Sequence, residues 1–70
     1  MVSWFERDGA FARYELYRLA DGRCELRITA PGGTESVEYF DAETDADRRC
    51  RALDAEFASG GWSGPHGLIR

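Results

Sequence analysis

The sequence predicts an α+β fold: a three- or four-stranded antiparallel meander with one C-terminal helix, at about 42–59, packed across one face. Two observations lead there. Turn signals (Asp8-Gly9, Asp21-Gly22 and Pro31-Gly32-Gly33) separate runs in which apolar and polar residues alternate. Beyond Phe40 the apolar period lengthens. Ala46, Cys50, Leu53 and Phe57 step by four, three and four, the stripe of an amphipathic helix.

The first run, "SWFE", is a candidate fourth strand at the sheet edge, and its register is left open by the sequence. The next run, "ARYELYRL", pairs with "RCELRITA", in which Cys24, Leu26, Ile28 and Ala30 share one face and Arg23, Glu25, Arg27 and Thr29 the other. A one-residue slip would exchange the faces, so matching faces chooses the loop. A two-residue Asp21-Gly22 loop sets Leu16 against Arg27. A three-residue Ala20-Asp21-Gly22 loop, with Gly22 left-handed, sets Leu16 opposite Leu26, Tyr14 opposite Ile28 and Glu15 opposite Arg27. The three-residue loop is therefore expected.

For the following hairpin a two-residue Gly32-Gly33 loop is expected, with Ile28 facing Val37, Leu26 facing Tyr39 and Arg27 facing Glu38. The apolar face then comprises Tyr14, Leu16, Cys24, Leu26, Ile28, Val37 and Tyr39, and the helical stripe covers it. Ser59-Gly60-Gly61 ends the helix with a glycine in the left-handed cap. Residues 1–70 read as a single small domain, with 60–70 a Gly/Pro-rich tail expected to be mobile.

Composition narrows the function. A chain of 70 residues buries only about 60% of its extended-chain surface, which leaves a small core. Its hydrophobic share of 43% is that of a folded protein and not a disordered one. The net charge of −4 works against nucleic acid and anionic membranes, which attract a positive field. All nine basic residues are Arg, and Lys, Asn and Gln are absent, a coding bias of the kind a GC-rich bacterial genome produces. No apolar run approaches the roughly 20 residues that span a bilayer, and the N-terminus lacks the charged and apolar regions of a signal peptide. Cytoplasmic location is the default expectation. Cys24 and Cys50 are too few and too far apart for a zinc site and are expected as buried thiols.

The stretch "FDAETDADRRC" places acids at alternate positions, as a calcium loop does. Counted from Asp41, however, the required glycine and bidentate Glu are replaced by Ala46 and Ala52. The acids instead suit a helix start: Asp41 or Thr44 as N-cap, first-turn carboxylates on the macrodipole, and i,i+4 pairs Asp45–Arg49 and Asp47–Arg51. Arg48 lacks such a partner. No metal, cofactor or phosphate-cradling motif is expected. Catalysis finds little support, because the single histidine, His66, lies in the tail and both cysteines point to the core.

The face that the helix leaves open carries the expected contacts. Tyr17, Glu25 and Phe40 form one row there, and Glu15, Arg27 and Glu38 the next, with Arg13 on the same strand face. These residues, with Trp62 beyond the helix cap, are the candidate partner contacts: Tyr17, Phe40, Arg27, Arg13 and Trp62. In that position Trp62 reads first as a lid on the core and second as a contact anchor. The competing reading shelters Tyr17 and Phe40 under Trp4, Phe5 and Phe11, or under Trp62, Leu68 and Ile69. The function expected is a non-enzymatic module that binds another protein or itself through this face and the terminal aromatics.

The runs "DGRCELRI" and "VEYFDAETDA" and the helix to Phe57, about half the chain, give an arrangement that resembles the DNA arm-binding domains of phage-type tyrosine integrases. That resemblance implies a sheet face entering the major groove, with Arg13 and Arg27 in the contacting positions. DNA binding is thus the alternative function. Glu15, Glu25 and Glu38 on the same predicted face, and the acids of the helix start, repel phosphate.

Overall fold

Five strands and a helix alternate with short turns in the computed structural model, which describes residues 1–67. They are β1 (Val2–Arg7), β2 (Ala10–Arg18), β3 (Cys24–Thr29), β4 (Glu35–Phe40), α1 (Glu43–Ser59) and β5 (Ser63–Gly67). The strands form one antiparallel sheet in the order β4-β3-β2-β1-β5, and α1 lies across one face. The class is α+β, as expected, but the sheet has five strands where the sequence predicted three or four. "SWFE" lies within β1, and residues 63–67 of the expected tail pair with β1 as a fifth strand.

The turns set the registers. Asp8 and Gly9 both have positive φ (52° and 81°), the conformation of a two-residue turn that follows the right-handed twist of its strands. It pairs Arg7 with Ala10, and hence Phe5 with Ala12 and Trp4 with Arg13. Between β2 and β3, Leu19 N–H donates to the Arg23 carbonyl (2.8 Å) and Gly22 has φ 90°. This is the expected three-residue loop, and Leu16–Leu26, Tyr14–Ile28 and Glu15–Arg27 pair as predicted.

The β3–β4 hairpin departs from expectation by one residue. Ala30 N–H donates to the Thr34 carbonyl and Gly33 takes φ 93°, so Pro31-Gly32-Gly33 is also a three-residue loop with a left-handed third glycine. Ile28 therefore pairs with Ser36, Leu26 with Glu38, Arg27 with Val37 and Cys24 with Phe40. Every β4 side chain changes face relative to the prediction. Val37 and Tyr39 turn outward, while Phe40 closes one end of the core and Glu38 reaches Arg49 with contacts of 3.0 and 3.2 Å.

The core joins Phe5, Tyr14 and Leu26 of the sheet to Cys50 and Leu53 of α1, with Met1, Leu16, Ile28, Phe40, Phe57 and Trp62 around it. The helix starts at Glu43 after Ala42, and no side chain caps it; neither Asp41 nor Thr44 takes that part. Asp47–Arg51 forms as expected (3.0 Å), but Asp45 pairs with Arg48, and Arg49 turns to Glu38 and Glu56. The other end is fully capped. Gly61 is left-handed (φ 82°), its N–H bonds the Ala58 carbonyl, and Trp62 N–H bonds that of Phe57. The accompanying apolar contact is Trp62 edge-on to Phe57, 5.6 Å between centroids. From there the chain turns back to lay β5 beside β1. Glycine is needed twice in that strand, since a Cβ at Gly64 would stand 2.8 Å from the Phe5 ring and one at Gly67 2.7 Å from the Val2 carbonyl.

Candidate functional site

Strand pairing places the helix-free side of the sheet residue by residue, because directly opposed residues share a face. Tyr39, Glu25 and Tyr17 make one row; Val37, Arg27, Glu15 and Val2 the next; Glu35, Thr29, Arg13, Trp4 and His66 the third. Phe11 and Glu6 follow. The five large apolar side chains that stand exposed among the described residues, Trp4, Phe11, Tyr17, Val37 and Tyr39, all lie on this face. They gather at opposite corners, the tyrosines towards β4 and the Trp4–Phe11 pair at the other end.

The Trp4 corner is built by three strands. Trp4 and Phe11 rings lie 5.9 Å apart at 54°, and the His66 ring from β5 lies 4.5 Å from that of Trp4, tilted by 35°. Beside them lies an open concavity of about 410 Å³ lined by Val2, Trp4, Phe11, Ala12, Arg13 and Thr29. At the tyrosine corner, Arg23 lies over the Tyr39 ring at 5.6 Å. Between the corners the charges are matched within the molecule: Arg27 contacts Glu25 at 2.6 Å and Glu35 at 3.4 Å. The hydrogen bond that Arg27 donates to the Glu25 carboxylate holds its guanidinium above the ordinary pKa. Arg13 reaches Glu15 only at 4.0 Å and is the less committed of the two arginines.

Of the predicted contacts, Tyr17, Arg13 and Arg27 are on this face. Phe40 is not, since the β4 register turns its ring to the helix side. Trp62 packs on Phe57 and under Arg7, whose guanidinium lies 5.0 Å from its ring centre, and it lids the core instead. Leu68 and Ile69, weighed as shelter for the aromatics, lie outside the described residues. Trp4, Phe11, Val37 and Tyr39 were not among the expected contacts. The signal for the first two was present: a two-residue Asp8-Gly9 turn sets Trp4 opposite Arg13, on the face opposite Tyr14.

The groups capable of nucleophilic chemistry are kept apart. Cys24 and Cys50 are free thiols buried on the helix side, and burial pushes the Cys50 thiol up to about 11, away from a reactive thiolate. His66 sits on the other side of the sheet. Its Nε2 is 3.1 Å from Ser63 Oγ, which also lies 3.2 Å from the Glu6 carbonyl oxygen. To satisfy both, the hydroxyl donates to Glu6 and accepts from the imidazole, the reverse of an activated serine. Among the described residues no group of three or more His, Cys, Asp or Glu is placed to hold a metal ion, and no helix is long and apolar enough to cross a membrane.

Comparison with protein-family models, curated proteins and solved structures finds no match for this chain.

Proposed function

We propose that this protein is a non-enzymatic interaction module whose open sheet face docks another protein, with Trp4 and Phe11 anchoring one end of the contact and Tyr17 and Tyr39 the other. The observation that carries this reading is the segregation of every exposed large apolar side chain, among the described residues, onto one face. Scattered apolar residues need no explanation; five on one side of a small sheet do. Aromatic anchors with arginines between them are what interface centres are enriched in. A partner offering apolar side chains to the two corners, and an acceptor near Arg13, fits this surface.

The test uses the whole chain as bait in an extract of its source organism, beside a Tyr17→Glu/Tyr39→Glu variant and an Arg51→Glu control on the outer face of α1. The reading requires a protein kept by wild type and control and lost by the face variant, whose purified form binds at least tenfold more weakly to that variant. Equal retention by all three overturns it.

DNA binding in the manner of integrase arm domains remains the alternative, and it has less support. The face offers Arg13, Arg27 and, at the tyrosine corner, Arg23 against Glu6, Glu15, Glu25 and Glu35, and phosphate contacts need a clear excess of positive charge. Amide shifts on adding duplex DNA at low salt, centred on β2 and β3, would reverse the ranking.

A further inference from the structure

We infer that β4 is a self-pairing edge: two copies of the chain join antiparallel along β4, with Val37 opposite Val37, merging two five-stranded sheets into one continuous sheet. This stands on the sheet's edge and not on what its open face binds.

Strand β4 ends the sheet. Hydrogen bonding to β3 alternates from the Ala30–Thr34 bond, which leaves the N–H and C=O groups of Glu35, Val37 and Tyr39 directed away from the sheet. Such a row is a template for another strand unless something guards it. The opposite edge is guarded. In β5, Pro65 has no N–H, Gly64 takes φ 127°, and the pairing with β1 is irregular between Trp4 and Glu6. No proline, lysine or bulge interrupts Glu35–Phe40. Its two acids are the remaining guards, and both are neutralised by their own molecule: Glu35 by Arg27 at 3.4 Å, and Glu38 by Arg49 at 3.0 Å.

The register follows from faces and charge. For the sheet to continue, residues of like face must oppose one another, so the twofold axis passes through a residue pair. Centring on Glu38 sets two carboxylates face to face. Centring on Val37 sets Val37 against its copy, Glu35 against Tyr39 and Ser36 against Glu38, and no like charges meet. The outward groups of residues 35, 37 and 39 then bond each other in pairs. Both helices fall on one side, and the exposed side chains of Val37 and Tyr39 become interior neighbours on the other. The occupant chosen is a second copy because this one segment complements itself.

Sedimentation equilibrium of the wild-type chain up to millimolar concentration should show a monomer–dimer equilibrium. In the same samples, exchange of the Glu35, Val37 and Tyr39 amides should slow as concentration rises. Val37→Glu places its carboxylate opposite Arg27 within its own copy, yet opposite its like across the interface; it should raise the dimer dissociation constant at least tenfold, about 1.4 kcal/mol, with the circular dichroism unchanged. Phe11→Arg, at the far corner of the open face, should leave the dimer intact. A strictly monomeric wild type, a dimer indifferent to Val37→Glu, or one abolished by Phe11→Arg overturns the inference, the last in favour of face-to-face stacking. Should Val37→Glu fail to fold, the concentration dependence of the wild-type amides decides.

Discussion

Tyr14 is the most constrained polar side chain of the core. Its hydroxyl donates to Asp54 Oδ1 at 2.9 Å, and burial is the main reason its pKa is pushed up to about 12. Burial likewise raises Cys50 to about 11. In both cases folding favours the protonated form, so the stability it confers is complete below the unfolded values, near 9 for the thiol and 10 for the phenol. It is lost as pH climbs through about 11 and 12. Urea midpoints should therefore fall steeply above pH 9, with the slope at pH 9–11 relieved in Cys50→Ala and the slope at pH 10–12 relieved in Tyr14→Phe. At neutral pH, Tyr14→Phe should cost about 1 kcal/mol, the net value of one hydrogen bond. A second residue-scale prediction concerns Gly64. With φ 127° and a Cβ position 2.8 Å from Phe5 and 2.9 Å from the Trp4 carbonyl, Gly64→Ala should destabilise by about 2 kcal/mol or more. Gly9→Ala, strained in φ but with open space around it, should cost about 1 kcal/mol. Equal losses in urea denaturation would count against this packing of β5 on β1.

At the scale of elements, the two interior hairpins use one device, a three-residue loop with glycine third. In the first, face matching revealed it. In the second, "SVEYF" offers Val37 and Tyr39 on one face and only Phe40 on the other, so face matching favoured the two-residue loop and the opposite facing. The core chose otherwise. Phe40 opposite Cys24 closes the core's end, and Glu38 on that side meets Arg49 of α1. Deleting Gly32 would shorten the loop to the two residues that the sequence suggested and drive β4 towards the opposite facing. Loss of thermal stability is expected, together with loss of cross-strand proton contacts between Cys24 and Phe40. The Glu38–Arg49 pair itself is about one-third exposed at each partner, so solvent screens it. A Glu38→Ala/Arg49→Ala double-mutant cycle should give a coupling no greater than about 1 kcal/mol, falling with added salt. Its larger consequence is to neutralise the β4 edge.

For the whole molecule, one helix cannot cover both sides of a five-stranded sheet, and the uncovered side carries the exposed aromatics. If they serve binding and not folding, Tyr17→Glu and Tyr39→Glu should each change unfolding free energy by less than about 1 kcal/mol, as exposed substitutions do. A loss of several kcal/mol in chemical denaturation would make the aromatics part of the stabilising structure and would remove the main support for a binding face. Half of that surface was legible in advance. Tyr17, Arg13 and Arg27 follow from the β2–β3 register, whereas Trp4 depends on a register the local pattern left open and Tyr39 on one it set the other way.

Local chemistry alone determined the class of fold, the helix with its glycine stop, the β2–β3 register and the burial of both cysteines. Each rests on periodicity or on a turn residue acting within a few positions of itself. Only the tertiary structure decided which side β4 shows, that Phe40 belongs to the core, and that residues 63–67 add a fifth strand. The physical reason is common to all three. "SGPHG" has neither alternation nor β-branched residues, and β4 is apolar on both sides, so long-range contacts placed them: Phe5 and the Trp4 backbone against Gly64, and Arg49 against Glu38.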